Sequence, residues 1–464
     1  MSIVNSTSDV GGKQVDRGHL ARLTHDELEV FNARTSKSRD MFYDARRHLL
    51  GGVPMSWMNK WAGGYPIYLD KAFGSTLVDI DGNSYVDFCL GDTGSMAGHS
   101  PMATVEAIKQ RIEVDGGLTT MLPSSDSIEV AKQLSERFNL PYWQYTLTAT
   151  DANRFVLRLC RQITHRKKIL VFSYCYHGTV DETFITLKGG EPHSREGNVG
   201  PAIDPTYTTE VVEFNDIEAL REHLEKGDVA CILTEPALTN IGIVLPKPGF
   251  LEEMVRLAHE NGTYVIFDET HTFSASWGGA TSFFNVQPDI VTIGKSVAGG
   301  YPFGAFGVSD AIANAISRES EIDLIDTGGI GGTLAGNVLS MAAARATLSE
   351  VFTKENFERM VELSSRFADG VNAVLRKYEV PWHIVTLGAR SEYRFSATVP
   401  ENGGESASYA DSELDLYMHL SMANRSILMT PFHNMALISP STTSKDVDRH
   451  SEVFEEVVSR LRFE

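Results

Sequence analysis

The chain predicts an α/β protein with a large domain, in which a mostly parallel sheet lies between helices, and a smaller α+β domain. Three observations carry this. First, the apolar runs Ile169-Leu-Val-Phe, Val229-Ala-Cys-Ile-Leu, Tyr264-Val-Ile-Phe and Ile290-Val-Thr-Ile follow one another between helix-compatible segments from roughly residue 100 to 340. That alternation is the signature of parallel strands joined by helical crossovers. Second, two of these runs end abruptly in a charge, at Asp268 and at Lys295, as a buried parallel strand does when it delivers a side chain to the sheet's carboxyl edge. Third, after residue 340 the pattern changes to shorter strand-like pieces mixed with helices.

The elements follow in order. The first ten residues are expected to be disordered, and a charged, helix-compatible stretch runs from about 25 to 50, closed by the breaker cluster Gly51-Gly52-Val53-Pro54. Ile67-Tyr-Leu, 76–81 and Ser84-Tyr-Val-Asp-Phe read as short antiparallel strands around an Asp81-Gly82-Asn83 turn. A long helical stretch centres on 340–348, and Tyr393-Arg-Phe-Ser and Ser426-Ile-Leu-Met-Thr return to strand patterning. The chain closes with an amphipathic helix whose expected N-cap is Ser444. The resulting division is an N-terminal segment over 1–88 that joins the small lobe, a large domain over 89–340 and a small domain over 341–464.

Composition narrows the function. With 464 residues a sizeable core is assured. Forty-one basic against 61 acidic residues, a net charge of -20, argue against a nucleic-acid partner. No apolar run approaches the ~18 residues of a membrane span, and the first residues lack a basic flank and an apolar segment, so a cytoplasmic protein is expected. Cys89, Cys160, Cys175 and Cys231 are scattered without metal-ligand spacing and read as reduced core thiols; no metal site is expected.

The chemistry lies in the two charges at the strand ends. Lysine after a strand is most often a solvated loop residue, but Asp268 and Lys295 at one sheet rim suit pyridoxal phosphate: the lysine forms a Schiff base, and the aspartate keeps the pyridine nitrogen protonated. A competing reading takes Asp268-Glu269-Thr270-His271 as a DExH box and Gly294-Lys295-Ser296 as the end of a P-loop. A P-loop needs glycine five residues before its Gly-Lys pair, and Asp289 stands there. The nucleotide-hydrolase reading is kept as a remote alternative.

From about Arg34 onward the chain resembles the fold-type I, class III aminotransferases, with glutamate-1-semialdehyde aminomutases and ω-amino acid or amine transaminases as relatives. The motifs that carry the resemblance are 79–88 around Asp81-Gly82-Asn83, Gly98-His99-Ser100-Pro101, Tyr176-His177-Gly178, Glu235-Pro236 with Pro248-Gly249-Phe250, and Gly332-Thr333-Leu-Ala-Gly336-Asn337. The resemblance implies a seven-stranded sheet in the large domain and a homodimer with shared active sites. It also implies site roles. Ala149 and Thr150 cradle the phosphate at a helix start, and Thr333 reaches the phosphate of the neighbouring subunit's cofactor. Tyr176 stacks on the pyridine ring and Thr270 presses from the other side. Glu235 braces the cofactor's hydroxyl side, His177 and His271 default to supporting hydrogen bonds, and Lys295 holds the cofactor as an internal aldimine and then moves the proton.

Substrate is read from departures. Ala149 stands where relatives usually carry glycine, Thr270-His271 replaces valine and Gln or Met, and Thr430 occupies the place of a mobile arginine before proline. Arg34 and Arg394 are candidate substitutes for a carboxylate clamp, and Trp57, Phe88 and Phe432 are candidates for an apolar substrate wall. The expected activity is ping-pong transfer from an amine or a β/ω-amino acid to a keto acid or aldehyde. The alternative is a glutamate-1-semialdehyde-type 2,1-aminomutase.

Overall fold

The fold is that of a computed structural model, which describes residues 14–319 and 330–464; the disorder expected over the first ten residues lies outside them. Helix α1 (Arg17–Arg34), capped by the Asp16 side chain, and α2 (Ser36–Ala45) stand where the sequence suggests a single helix. Between them the Thr35 hydroxyl donates to Phe31 O. Strands β1 (Leu69–Phe73), β2 (Thr76–Asp79) and β3 (Ser84–Asp87) form the antiparallel ladder. Its turn is tied by Asp79, which accepts from Asn83 N at 2.8 Å and Asn83 Nδ2 at 2.9 Å. The first strand starts at Leu69 rather than Ile67, since Tyr68 N is spent on Ser38 Oγ.

Helices α3 (Met102–Gln110) and α4 (Ser125–Phe138) lead into the large sheet. There β4 (Tyr142–Thr146), α5 (Ala149–Thr164), β5 (Lys168–Phe172), the side hairpin β6 (Ile185–Lys188) and β7 (Glu191–Ser194), β8 (Thr209–Val212), α6 (Ile217–Leu224) and β9 (Val229–Thr234) follow in turn. They are succeeded by α7 (Phe250–Glu260), β10 (Tyr264–Asp268), α8 (Gly279–Phe284), β11 (Ile290–Gly294), β12 (Gly304–Val308) and α9 (Asp310–Arg318). The seven strands lie in the order β4-β12-β11-β10-β9-β5-β8. Only β12 runs against the others in this sheet, so the mostly parallel seven-stranded sheet stands as expected.

Strands β9 and β11 are buried along their whole length, which is why they read as unbroken apolar runs. Side chains alternate between the two faces of a strand. Accordingly Leu170, Phe172, Val265, Phe267, Val291 and Ile293 join one core, while Ile169, Val171, Ile266 and Ile290 join a second that includes Val156 and Cys160 of α5. All four cysteines are buried and free.

The C-terminal part comprises α10 (Val338–Ala346), α11 (Lys354–Lys377), β13 (His383–Leu387), β14 (Arg390–Arg394), α12 (Gly403–Ser408), α13 (Ser412–Asn424), β15 (Ile427–Leu428), β16 (Met435–Leu437) and α14 (Ser444–Val458). Strand β14 begins three residues before Tyr393, because the buried charges Arg390 and Glu392 interrupt its apolar patterning. Strand β15 pairs in parallel with β3, Ile427 opposite Val86, and α1 packs on α13. There the buried Glu27 takes ion pairs from Arg425 and Arg460. The cap of α14 is Thr443 in a capping box with Asp446, not Ser444. No helix of the described residues is long and apolar enough to cross a membrane.

Candidate active site

Strands β10 and β11 run in parallel with Asp268 opposite Thr292, so that Asp268 and the residue that follows β11, Lys295, reach the same edge of the sheet. A cavity of about 360 Å³ opens there. Lys295 adopts a left-handed φ of +48°, a sparsely populated conformation for a side-chain-bearing residue. Its Nζ is 3.0 Å from Asp92 Oδ2.

Asp268 is held from behind. Its Oδ2 lies 2.9 Å from His177 Nδ1 and accepts from Asn153 Nδ2 at 2.9 Å, while Thr270 N donates to Oδ1 at 3.0 Å. Burial pushes the carboxyl's pKa up, but the hydrogen bond and charge of His177, with the donors from Thr270 and Asn153, outweigh it and bring it down to about 2. Burial likewise opposes the charged His177 ring; Cys175 and the bond to Asp268 outweigh it and lift the ring to about 10. The result is a buried ion pair that keeps Asp268 ionised. Glu235, fully enclosed, moves up to about 7 through burial, opposed by its bonds from the Thr239 hydroxyl and backbone.

The opposite wall is the start of α5. Thr148 caps this helix by accepting from Asp151 N, and the first-turn N–H groups have no carbonyl partner within the helix, which suits an anion. Ala149 and Thr150 both line the cavity. The helix begins at Ala149, and Asn153 turns inward to Asp268 and to Thr292, whose hydroxyl lies 2.6 Å from Asn153 Oδ1. Alanine at 149 is accommodated by Gly294, where a Cβ would lie 2.9 Å from Ala149 Cβ. Across the cradle Gly178 has φ +76°, and a Cβ on it would meet Thr150 Oγ1 at 2.0 Å.

The cavity therefore brings together Lys295, Asp268, Ala149, Thr150, Tyr176, His177, Glu235, Thr270 and Trp57. Phe432 stands beside it: its ring lies 5.5 Å from that of Trp57, which is in turn 5.3 Å from Tyr176. Three expected residues are elsewhere, and Thr333, expected at the phosphate of a neighbouring subunit's cofactor, stands apart from this cavity. Phe88 is fully buried in the core against Phe367 and His450. Arg34 donates to Asn424 O at the end of α13 and to Asn83 in the turn between β2 and β3. Arg394 donates to Ser406 O of α12. Thr333 is exposed on the single chain. None of the four lines the cavity, and no arginine does so among the described residues. Thr430 is completely buried.

The DExH reading fails on Glu269. It is fully buried and occupied by Thr272 Oγ1, by Ala280 N and by the backbone and hydroxyl of Thr281, leaving one acid where the box needs two. Among the described residues no cluster of three or more His, Cys, Asp or Glu could hold a metal ion. Sequence reasoning assigned no role to Asp92, Thr93, Asn153 or Arg390. For Asp92 and Thr93 the signal was the flanking Gly91 and Gly94, which mark an unusual backbone: Asp92 has φ +50° and Thr93 φ +79°.

These residues fit pyridoxal phosphate: an ionised carboxylate and an amine face one cavity, a helix N-terminus supplies anion donors, and the buried Thr270 Oγ1 beside Asp268 has no hydrogen-bond partner in the protein. Comparison with known proteins points the same way. Residues 57–445 match the model of the family described as Aminotransferase class-III. The chain is 30% identical over 435 residues to glutamate-1-semialdehyde 2,1-aminomutase of Methanosphaera stadtmanae, covering 92% of this chain and 99% of that protein. Among solved structures it is similar to a glutamate-1-semialdehyde-aminomutase variant from Pseudomonas aeruginosa PAO1 in complex with PMP, at 41% identity and TM-score 0.94, over 97% of this chain and 100% of the other. An omega-transaminase from Sphaerobacter thermophilus is similar at 26% identity and TM-score 0.82, over 91% and 97% of the two chains.

Proposed function

Since the chain belongs to the class-III aminotransferases and its cofactor is pyridoxal phosphate, we propose that it moves an amino group within one small amino-carbonyl substrate, as a 2,1-aminomutase does. The observation that carries amino-group chemistry is Lys295 and Asp268 at one edge of one cavity. Similarity to proteins described as aminomutases favours the intramolecular reaction over transfer between two molecules, the first expectation from sequence.

When bound, pyridoxal phosphate supplies a carbonyl carbon that takes the amine and a ring that accepts electrons. The protein's part is as follows. Asp268, kept ionised by His177, holds a proton at the ring nitrogen. Ala149 and Thr150 hold the phosphate at the head of α5. Tyr176 and Thr270 flank the ring, Glu235 braces the hydroxyl side, and Trp57 and Phe432 shield the mouth from water. Lys295 would hold the cofactor's carbonyl carbon, and its Nζ, as a neutral amine, would take up and return the proton at the substrate carbon. Thr333, exposed on the single chain, completes the phosphate site of a second copy in a homodimer. The exposed apolar residues Met102, Ile112, Val114, Leu118, Met121 and Leu122 support that pairing.

A second reading, transamination of an amine or a β/ω-amino acid, is supported by the absence of arginine from the described cavity lining and by Thr430 at the place of the expected clamp. One experiment separates them. The loaded enzyme is incubated with an α-amino aldehyde such as glutamate-1-semialdehyde and no other carbonyl compound, and separately with a simple amine plus pyruvate. Isomer formation in the first mixture supports the mutase; no isomer, with alanine formed in the second, rejects it in favour of the transaminase. Unchanged mixtures in both, from a chain that cannot take up the cofactor, reject amino-group transfer altogether.

A further inference from the structure

The side hairpin β6–β7 takes no part in the roles above, yet it stands on the loop that delivers Tyr176. Lys188 pairs with Glu191 across Gly189 and Gly190, whose φ values are +62° and +86°. Two positive φ angles in a two-residue loop are what a type I′ turn requires, and such a turn fixes the register of its strands. That register carries on past Ile185 opposite Ser194, so that Arg195 N donates to Phe184 O at 2.8 Å. Opposite residues of an antiparallel pair send their side chains to one face. Arg195 therefore shares the face of Phe184, whose ring lies 6.2 Å from that of Tyr176. Ser173 Oγ pins the hairpin there: it accepts from Leu187 N at 3.2 Å and lies 2.9 Å from Thr186 Oγ1.

Arg195 Nη1 donates to Cys175 O at 2.7 Å, its one side-chain hydrogen bond among the described residues. Glu196, the acid next to it in sequence, faces Lys188 at 3.9 Å instead, and Arg195 forms no ion pair among the described residues. One arm of the guanidinium is thus fixed to the loop, while Nη2 and Nε remain open to a planar anion, the fork that matches a carboxylate. Its charge acts on the site: burial raises the pKa of the Tyr176 hydroxyl, Asp92 adds to this, and Arg195 works against both. From Tyr176 the aromatic wall runs to Trp57 at 5.3 Å, and from there to Phe432 at 5.5 Å. At its far end the exposed Lys60 places Nζ 5.3 Å from the Phe432 ring, a compact and strongly hydrated charge on a flexible stem. Inside the cavity Asp268 is ionised and Asp92 lies 3.0 Å from Lys295 Nζ, so a negative group on a substrate is repelled from the floor and drawn to the rim. Arg34 and Arg394, expected as a clamp, are spent on carbonyls of other elements.

We propose that Arg195 is a specificity-determining residue of this site: it takes the carboxylate of a substrate whose apolar part lies along Tyr176, Trp57 and Phe432, and so selects carboxylated amino compounds over uncharged amines. The use made of this contact rests on the amino-transfer reading; the contact itself does not. A purely structural part for Arg195, tying the hairpin to Cys175 O, predicts a different outcome, since its loss would weaken charged and uncharged ligands alike.

Calorimetric titration of the full chain loaded with pyridoxal phosphate, using hydrocinnamate and its neutral amide, reads the contact without any reaction and with the cradle at α5 already filled. Wild type should bind the carboxylate at least about tenfold more tightly than the amide, the lower end of what a hydrogen bond to a charged group contributes. Arg195→Gln should remove that preference and leave the affinity for the amide unchanged. Arg195→Lys, which keeps the charge and loses the fork, should retain part of the preference, and Lys60→Gln should retain it in full. Equal binding of the two ligands by wild type, an equal loss of both in Arg195→Gln, or a preference removed by Lys60→Gln instead overturns the proposal. A chain that shows this preference yet forms neither isomer nor alanine in the mixtures above refutes the transfer reading and leaves the Arg195 contact standing.

Discussion

His177 Nδ1 and Asp268 Oδ2 are 2.9 Å apart with both side chains almost wholly withdrawn from solvent, and their charges are mutually sustained. Removing one member of a buried pair costs about 3–5 kcal/mol. Asp268 has its pKa depressed to about 2, so its contribution to stability is present above its unfolded value of about 3.9 and lost as pH falls through about 2. His177 is raised to about 10, so its contribution is full below about 6.5 and lost as pH rises through about 10. Urea unfolding of wild type and His177→Phe should therefore differ most between about pH 4 and 6.5, and the gap should close towards pH 10. A constant gap across this range would mean that the pair is not charged. Asp268→Asn should in addition lower turnover roughly a thousandfold, as loss of a preorganised electrostatic partner does.

Glu235 predicts the opposite slope. Burial raises its pKa to about 7, so the folded chain binds a proton that the unfolded chain has already released above about pH 4.3. Stability should fall by about 3 kcal/mol as pH rises from about 4.5 to 7 on this account. Glu235→Gln should flatten that slope, measured by denaturant midpoints at several pH values in the cofactor-free protein. An unchanged slope would assign the loss of stability over this range to other groups.

The sequence showed the sheet and the Asp268–Lys295 pair plainly because both depend on local patterning: unbroken apolar strands, each ended by a charge. It did not show the role of Asn153, because only the distant strands β10 and β11 turn that residue into a partner for Asp268 and Thr292. Arg34 and Arg394 illustrate the reverse. An arginine's reach is set by which carbonyl lies within a few ångströms, and Asn424 O and Ser406 O are far from them in sequence or of no visible pattern. Phe88 was legible as apolar, but which of two walls it faces follows from strand register with β15 and from the packing of α14.

Gly178 and Thr150 should be coupled. A Cβ at 178 would fall 2.0 Å from Thr150 Oγ1, and the glycine's φ is +76°. Gly178→Ala should cost about 1–3 kcal/mol of stability from conformation alone and more from the clash, and should weaken cofactor binding at least tenfold. Thr150→Ala removes the obstructing hydroxyl. In the double variant the thermal-melt penalty should be smaller than the sum of the single ones by more than about 0.5 kcal/mol. Strict additivity would show that the loop moves aside and that the cradle is not rigid.

Lys295 gives a prediction in which stability and activity part. Neither Lys295→Ala nor Lys295→Gly can return a proton to substrate, so both should lack turnover while retaining the fold and a spectroscopically detectable cofactor. Their stabilities should rank against the usual order. In ordinary helical positions glycine is less stable than alanine by up to about 1 kcal/mol, chiefly because it loses more backbone entropy. At φ +48° alanine pays a left-handed penalty of about 1–2 kcal/mol that glycine escapes. In the cofactor-free chain the glycine variant should therefore equal or exceed the alanine variant in denaturant midpoint, by up to about 1 kcal/mol. If alanine is the more stable by the full helical margin, the residue is not held in the left-handed region in solution, and the backbone at the end of β11 does not aim the lysine. The turnover loss would then remain, but its origin would lie in the side chain alone.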